Sequence, residues 1–146
     1  MKTVEEVMLQ WETDAEIDTN HLDKVAIDIP KLHAKYLRVL TESKLRLAKA
    51  QTDYETMRQI KFRYYRGELS REELATYEWP QWQRTKPLKN EMDEFLRGDG
   101  DLNQLKTRVA YLQALVGAVE SIMQEIRSRN WSVRNALEYR KFVAGS

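Results

Sequence analysis

Ten consecutive residues, Arg58-Gln59-Ile60-Lys61-Phe62-Arg63-Tyr64-Tyr65-Arg66-Gly67, interleave four cations with three aromatic rings. Cations track a phosphate backbone while aromatic faces stack on unpaired bases, at about 1–3 kcal/mol per base, so this mixture suits single-stranded nucleic acid. Arg58, Lys61, Arg63, Tyr64, Tyr65 and Arg66 are the candidate contacts. A structural role competes with this reading: cations near a helix C-terminus complement its dipole, and Phe62 and Tyr64 could be core residues. A second cluster, Trp79, Trp82, Arg84 and Lys86, lies in a proline-containing stretch between Tyr77 and Lys89. It offers either a second DNA contact or tryptophans that pack between subunits.

No residue constellation points to catalysis. His21 and His33 are too far apart in sequence to share one helical face as metal ligands, and there is no Cys. Gly-rich phosphate loops of the Walker or dinucleotide type are missing from the sequence. Gly98-Asp99-Gly100-Asp101 lacks the ligand spacing and closing Glu of a calcium loop, and a helix cap explains it better. The expectation is a non-enzyme without metal or cofactor. The start of the chain does not read as a signal peptide, and no apolar run reaches the roughly 20 residues of a membrane span. A cytoplasmic protein with no membrane partner is expected.

Which elements would hold these residues in place? Five Gly and three Pro leave few turns, and no stretch alternates as a strand does, so the fold class is all-α. Val4, Val7, Met8 and Trp11 mark a short helix over about residues 3–12. Asp18-Thr19-Asn20 offers caps for a second stretch, and at Pro30 either a new helix begins or the preceding one kinks. From Pro30 to Arg66 nothing breaks a helix, giving a length of roughly 55 Å. Its apolar stripe runs through Tyr36, Leu40, Ser43, Leu47, Ala50, Tyr54, Met57 and Ile60, and Gly67 ends it. Short helices follow over about 68–79, with a Ser70–Glu73 capping box, and over about 87–96.

Asp101 with Gln104 reads as the cap of a second long helix. Along it Leu102, Leu105, Val109, Leu112, Val116, Val119, Met123 and Ile126 recur at alternating spacings of three and four. That is a heptad seam, to be packed within the chain or between copies of it. A terminal helix from about Ser132 to Phe142 follows Arg129-Asn130-Trp131. The expected organisation is a DNA-binding region over 1–97 and an assembly region over 98–146, within a single structural domain. Two long helices and several short ones would pack as a bundle or coiled coil.

Charge is segregated along the chain although the net is only +1. Residues 1–28 balance at −6, residues 31–66 at +7, residues 67–105 at −4 and the remainder at +4. Such blocks suit a polyanion-binding surface beside acidic surfaces for other partners, or pairing of the blocks with one another.

Three segments give the chain a family resemblance. Val4-Glu5, Asp14, Ile17-Asp18 and Leu22 share the spacing of the UvsY family, the recombination mediators of T-even and related bacteriophages. Tyr64-Tyr65-Arg66-Gly67 resembles that family's Tyr-Tyr-x-Gly following a basic Lys-x-Arg motif. The tail, Ile126-Arg127-Ser128-Arg129-Asn130-Trp131 through Arg140-Lys141-Phe142-Val143-Ala144-Gly145, is similar to its C-terminal pattern. Residues 68–90 are the least alike. The resemblance implies a closed homo-oligomeric ring, a hexamer or heptamer, that binds single-stranded DNA. It further implies displacement of the phage single-strand-binding protein and loading of a RecA-type phage recombinase, in the cytoplasm of the infected bacterial host. Aligned on Tyr64-Tyr65, the family's Arg falls on Lys61 and its Lys on Gln59; shifted by two, the motif falls on Lys61 and Arg63. Lys61 belongs to the implied site in both registers. The C-terminal part of the family mediates assembly, which assigns oligomerisation to the seam together with Trp131 and Phe142. The competing reading is a helical oligomeric adaptor that binds no nucleic acid.

Overall fold

The computed structural model describes residues 3–145, and every regular element among them is a helix. In chain order these are α1 (Val4–Asp14), α2 (Leu22–Tyr65), α3 (Arg71–Tyr77), α4 (Met92–Arg97) and α5 (Gly100–Gly145). Helices α2, with 44 residues, and α5, with 46, hold most of the chain. No helix among the described residues is long and apolar enough to cross a membrane.

Both long helices run through the points where the sequence suggested a break. Pro30 lies inside α2. Its ring is exposed, and the helix runs on past the one backbone hydrogen bond that the missing N–H removes. Helix α5 continues through Arg129-Asn130-Trp131, and the expected terminal helix is its last part. Neither Gly nor Pro occurs between Ala118 and Ala144, and weak helix formers alone do not end a helix. Ser132 there donates its hydroxyl to the Ser128 carbonyl, within the helix.

Capping fixes the other ends. Ser70 and Glu73 form the expected reciprocal box at α3, and Thr3 with Glu6 forms another at α1. Asp99, not Asp101, caps α5: its Oδ1 accepts from the Leu102 amide at 3.0 Å, and the helix opens at Gly100. Gly67 closes α2 at φ +72°, with its amide on the Tyr64 carbonyl and the Glu68 amide on that of Arg63, each at 2.9 Å. This pair of bonds is a Schellman cap, whose left-handed residue favours glycine.

Packing divides the chain into two units, Met1–Arg46 with Leu112–Ser146, and Leu47–Tyr111. The division differs from the expected boundary at residue 97, because α2 and α5 each contribute a segment to both units. The first unit buries Val7, Leu22, Tyr36 and Leu40 with Leu115, Val119, Met123, Ile126 and Val133. Met8, expected on the inner face of α1, is exposed instead. Asp14 closes this unit's polar centre, accepting from Lys35 at 2.7 Å and Tyr36 at 2.8 Å, while its carbonyl accepts from Arg129 at 2.8 Å. Burial opposes ionisation of Asp14, but these donors outweigh it and hold its carboxyl below the ordinary range. The second unit buries Tyr64, Tyr65, Leu69, Leu74, Met92, Leu96 and Leu102 as one cluster.

Candidate nucleic-acid interface

The last turns of α2 sort their residues onto two faces. Lys61, Tyr64 and Tyr65 turn inward and are buried, whereas Arg58, Phe62 and Arg66, spaced by four, line a surface groove.

On the inner face, the Lys61 side chain is 7% exposed. Its Nζ lies 3.0 Å from Asp99 Oδ2, 2.8 Å from Asp101 Oδ2 and 3.9 Å from the centre of the Trp79 ring. The Tyr65 hydroxyl donates to Asp99 Oδ2 at 2.6 Å. Burial works against a charged Asp99, yet hydrogen bonds from Tyr65, the Leu102 amide and Lys61 prevail and depress its pKa. Burial and the neighbouring Asp99 push the Tyr65 phenol up in turn. Tyr64 donates to the Pro80 carbonyl at 2.8 Å and so ties down the aromatic loop.

The loop's tryptophans close the same cluster. Trp79 packs on Tyr64 at 5.2 Å and stacks on Tyr77 at 4.5 Å. Trp82 meets Tyr65 edge to face at 4.8 Å, and its buried indole N–H has no hydrogen-bond acceptor among the described residues. The expected contact set is thus divided between the two faces. Lys61, Tyr64, Tyr65, Trp79 and Trp82 hold the second unit together, and a phosphate reaches Lys61 only by displacing two carboxylates. Arg63 forms a bidentate pair with Glu73, both bonds at 2.9 Å, which ties α3 to the end of α2.

The outer face is different. A groove of about 700 Å³ runs between α2 and residues 86–96. Arg58, Arg66, Lys86 and Lys89 line it, with Phe62, Pro87 and Leu88 among them and the buried Met92 and Leu96 beneath. Arg58 faces Asp93 at 3.6 Å, and Arg66 pairs with Glu68 at 2.9 Å while its guanidinium lies 5.6 Å from the Phe62 ring centre. Lys86 and Lys89 have no ion pair among the described residues. The Lys86 stem passes 3.7 Å from where a Cβ of Gly67 would stand, which brings the loop cation beside the end of α2. Arg84 leans on Trp82 at 5.9 Å and shares a neighbouring cavity of about 500 Å³ with Lys86. Phe62 and Lys89 were not among the expected contacts. The repeat of four from Arg58 through Phe62 to Arg66 was the available signal.

Of the residues assigned to assembly, Leu102, Leu112, Val116, Val119, Met123 and Ile126 are buried within the chain, and Leu105 and Val109 are half-buried. The seam thus packs inside the subunit. Trp131 and Phe142 are 68% and 74% exposed, and Tyr139 is exposed beside them in sequence.

A family model described as "Recombination, repair and ssDNA binding protein UvsY" matches residues 10–146. Crystal structures of the bacteriophage T4 recombination mediator protein UvsY share the fold. One lattice form aligns at TM-score 0.83 and 20% identity over 99% of both chains. A second aligns at 0.84 and 19% over 97% of this chain and 99% of that one. A third gives 0.78 and 20% over 92% and 96%. No curated protein sequence matches significantly.

Proposed function

Because the chain belongs to the UvsY family, we propose that it is a recombination mediator that binds single-stranded DNA as a homo-oligomeric ring. In this reading it displaces the phage single-strand-binding protein and loads a RecA-type recombinase, in the cytoplasm of the infected host. The groove carries the DNA-binding part: four cations around an exposed aromatic, on a surface that water already reaches. We place the phosphate contacts at Arg58, Arg66, Lys86 and Lys89, with Arg84 alongside. Lys61, Arg63, Tyr64 and Tyr65 build the wall behind them. Each site is small, so tight binding comes from several copies in one assembly. Exposed Trp131, Tyr139 and Phe142 are the surface offered for that assembly. A cleft of about 300 Å³ is lined by Asp14, Glu16, Asp18 and Asp28 together with His21, Lys24 and Arg129, and we assign its carboxylates to contact with the recombinase or single-strand-binding protein.

Charge pairing within the chain favours a second reading, an adaptor without nucleic acid. Lys35–Asp14, Lys61–Asp99 and Arg63–Glu73 do join basic to acidic blocks. They leave the groove's lysines uncommitted, and exposed pairs such as Arg58–Asp93 yield to a phosphate at little cost. A salt titration of oligo-dT affinity tests the proposal, with light scattering to follow assembly mass. The double variant Arg58→Ala, Arg66→Ala is expected to weaken binding and flatten the log–log salt slope by about 1.4 per site, with the assembly intact. An oligomer indifferent to oligo-dT would establish the adaptor.

A further inference from the structure

Phe62 is 37% exposed and Leu88 65% exposed, and both line a groove whose charged residues are four cations and Asp93. A purely phosphate-binding surface needs no exposed ring at its centre. Phosphates are served by cations and hydrogen-bond donors, and an apolar floor only costs solvation when left bare. The inner-face aromatics pack on one another, whereas the part-exposed Phe62 ring has the Arg66 guanidinium 5.6 Å from its centre. Arg58 and Arg66 stand one turn to either side of it along α2, about 12 Å apart. That spacing puts a cation on each flank of a single aromatic platform. The groove volume, about 700 Å³, lies within the roughly 300–1,000 Å³ typical of sites that enclose a small planar group.

We infer that Phe62, in the groove it shares with Pro87 and Leu88, is a nucleobase platform, and that one unpaired base lies on it while Arg58 and Arg66 hold the phosphates on either side. The inference rests on the groove being the DNA site, and it adds a reason for strand selectivity. In a duplex both faces of every base are covered by its neighbours, so a duplex offers the groove phosphates but no face for Phe62. An unpaired strand offers both. The groove therefore distinguishes single from double strands by stacking and not by charge, since the duplex carries its phosphates at the higher density. It does so without reading sequence, since every base has a π-face.

A short oligo-dT, an abasic strand of equal length and a duplex, each measured by fluorescence anisotropy, separate the two layers of the argument. Phe62→Ala is expected to weaken oligo-dT binding about 5- to 150-fold, which is the conversion of one stacked base. Affinity for the abasic strand and the duplex should stay at the wild-type level, and Phe62→Trp should restore oligo-dT binding with quenching of the new indole. Equal losses on oligo-dT and abasic strand, or no loss on either, overturn the platform. Arg58→Ala with Arg66→Ala reports on the groove itself. It should weaken all three ligands, and if none weakens, the DNA site lies elsewhere and the larger reading fails with it. Melting curves of each variant check that Phe62→Ala is folded, as removal of a partly exposed ring should allow.

Discussion

Replacing Lys61 with Met separates its structural role from a DNA-binding one. The ammonium sits between Asp99 and Asp101 at 3.0 and 2.8 Å, and the Asp99 side chain is only 3% exposed. Met fills the volume but leaves Asp99 with the Tyr65 hydroxyl and the Leu102 amide as its remaining donors. Asp101 is half-exposed and can turn to water, so the cost concentrates on Asp99. Removing one partner of a buried ion pair costs about 3–5 kcal/mol. For a chain of this size each kcal/mol moves the melting temperature by about 3–4 °C, so Lys61→Met should melt about 10–20 °C lower. Adding Asp99→Asn removes the stranded charge and should recover part of that loss, which a double-mutant cycle by differential scanning calorimetry would quantify. At temperatures well below the melting point the variant should bind oligo-dT as the wild type does. A variant of unchanged stability that has lost DNA affinity would refute the assignment and return Lys61 to the contact set.

Two further outcomes follow from the same contacts. Asp99 and Asp14 both have pKa values held below the ordinary carboxylate range. A depressed carboxylate stabilises the fold fully above its unfolded pKa, and that stability is lost as pH falls through the folded value. The melting temperature should therefore hold from neutrality to about pH 4 and drop below it, and Asp99→Asn should start lower yet lose less over the acid range. Ile126→Ala in the first unit, where the side chain is 0% exposed, should cost about 2–5 kcal/mol in urea unfolding while oligo-dT binding by the folded fraction is unchanged.

Long-range periodicity made the helices legible. The stripe from Tyr36 to Ile60 is buried or half-buried throughout, and the seam from Leu102 to Ile126 is equally so. Helix ends were legible where a side chain or glycine sets them locally, as at Ser70 and Gly67. Pro30 and Arg129-Asn130-Trp131 misled because tertiary packing carries a helix across a weak local signal. The basic–aromatic cluster did not show how its residues divide between two faces of the helix. Composition counts Lys61 and Arg66 alike, although at five positions' separation they point to different sides of the helix. Lys61's partners, Asp99 and Asp101, lie some forty residues onward, so no local pattern could show that its charge is already taken. Trp79 and Trp82 were ambiguous for the same reason, their contacts being with Tyr64 and Tyr65.

Asp93 and Glu68 stand beside the groove's two arginines, at 3.6 Å from Arg58 and 2.9 Å from Arg66. For a polyanion held there, these carboxylates set the pace of departure. A guanidinium that loses a phosphate finds a resident anion within reach, so letting go never strands a bare positive charge. Under the proposed function each site would be built for short residence, and a long-lived complex would exist only as the sum of many brief ones. A strand gripped in that manner can be peeled away one nucleotide contact at a time by a protein that takes up the vacated stretch.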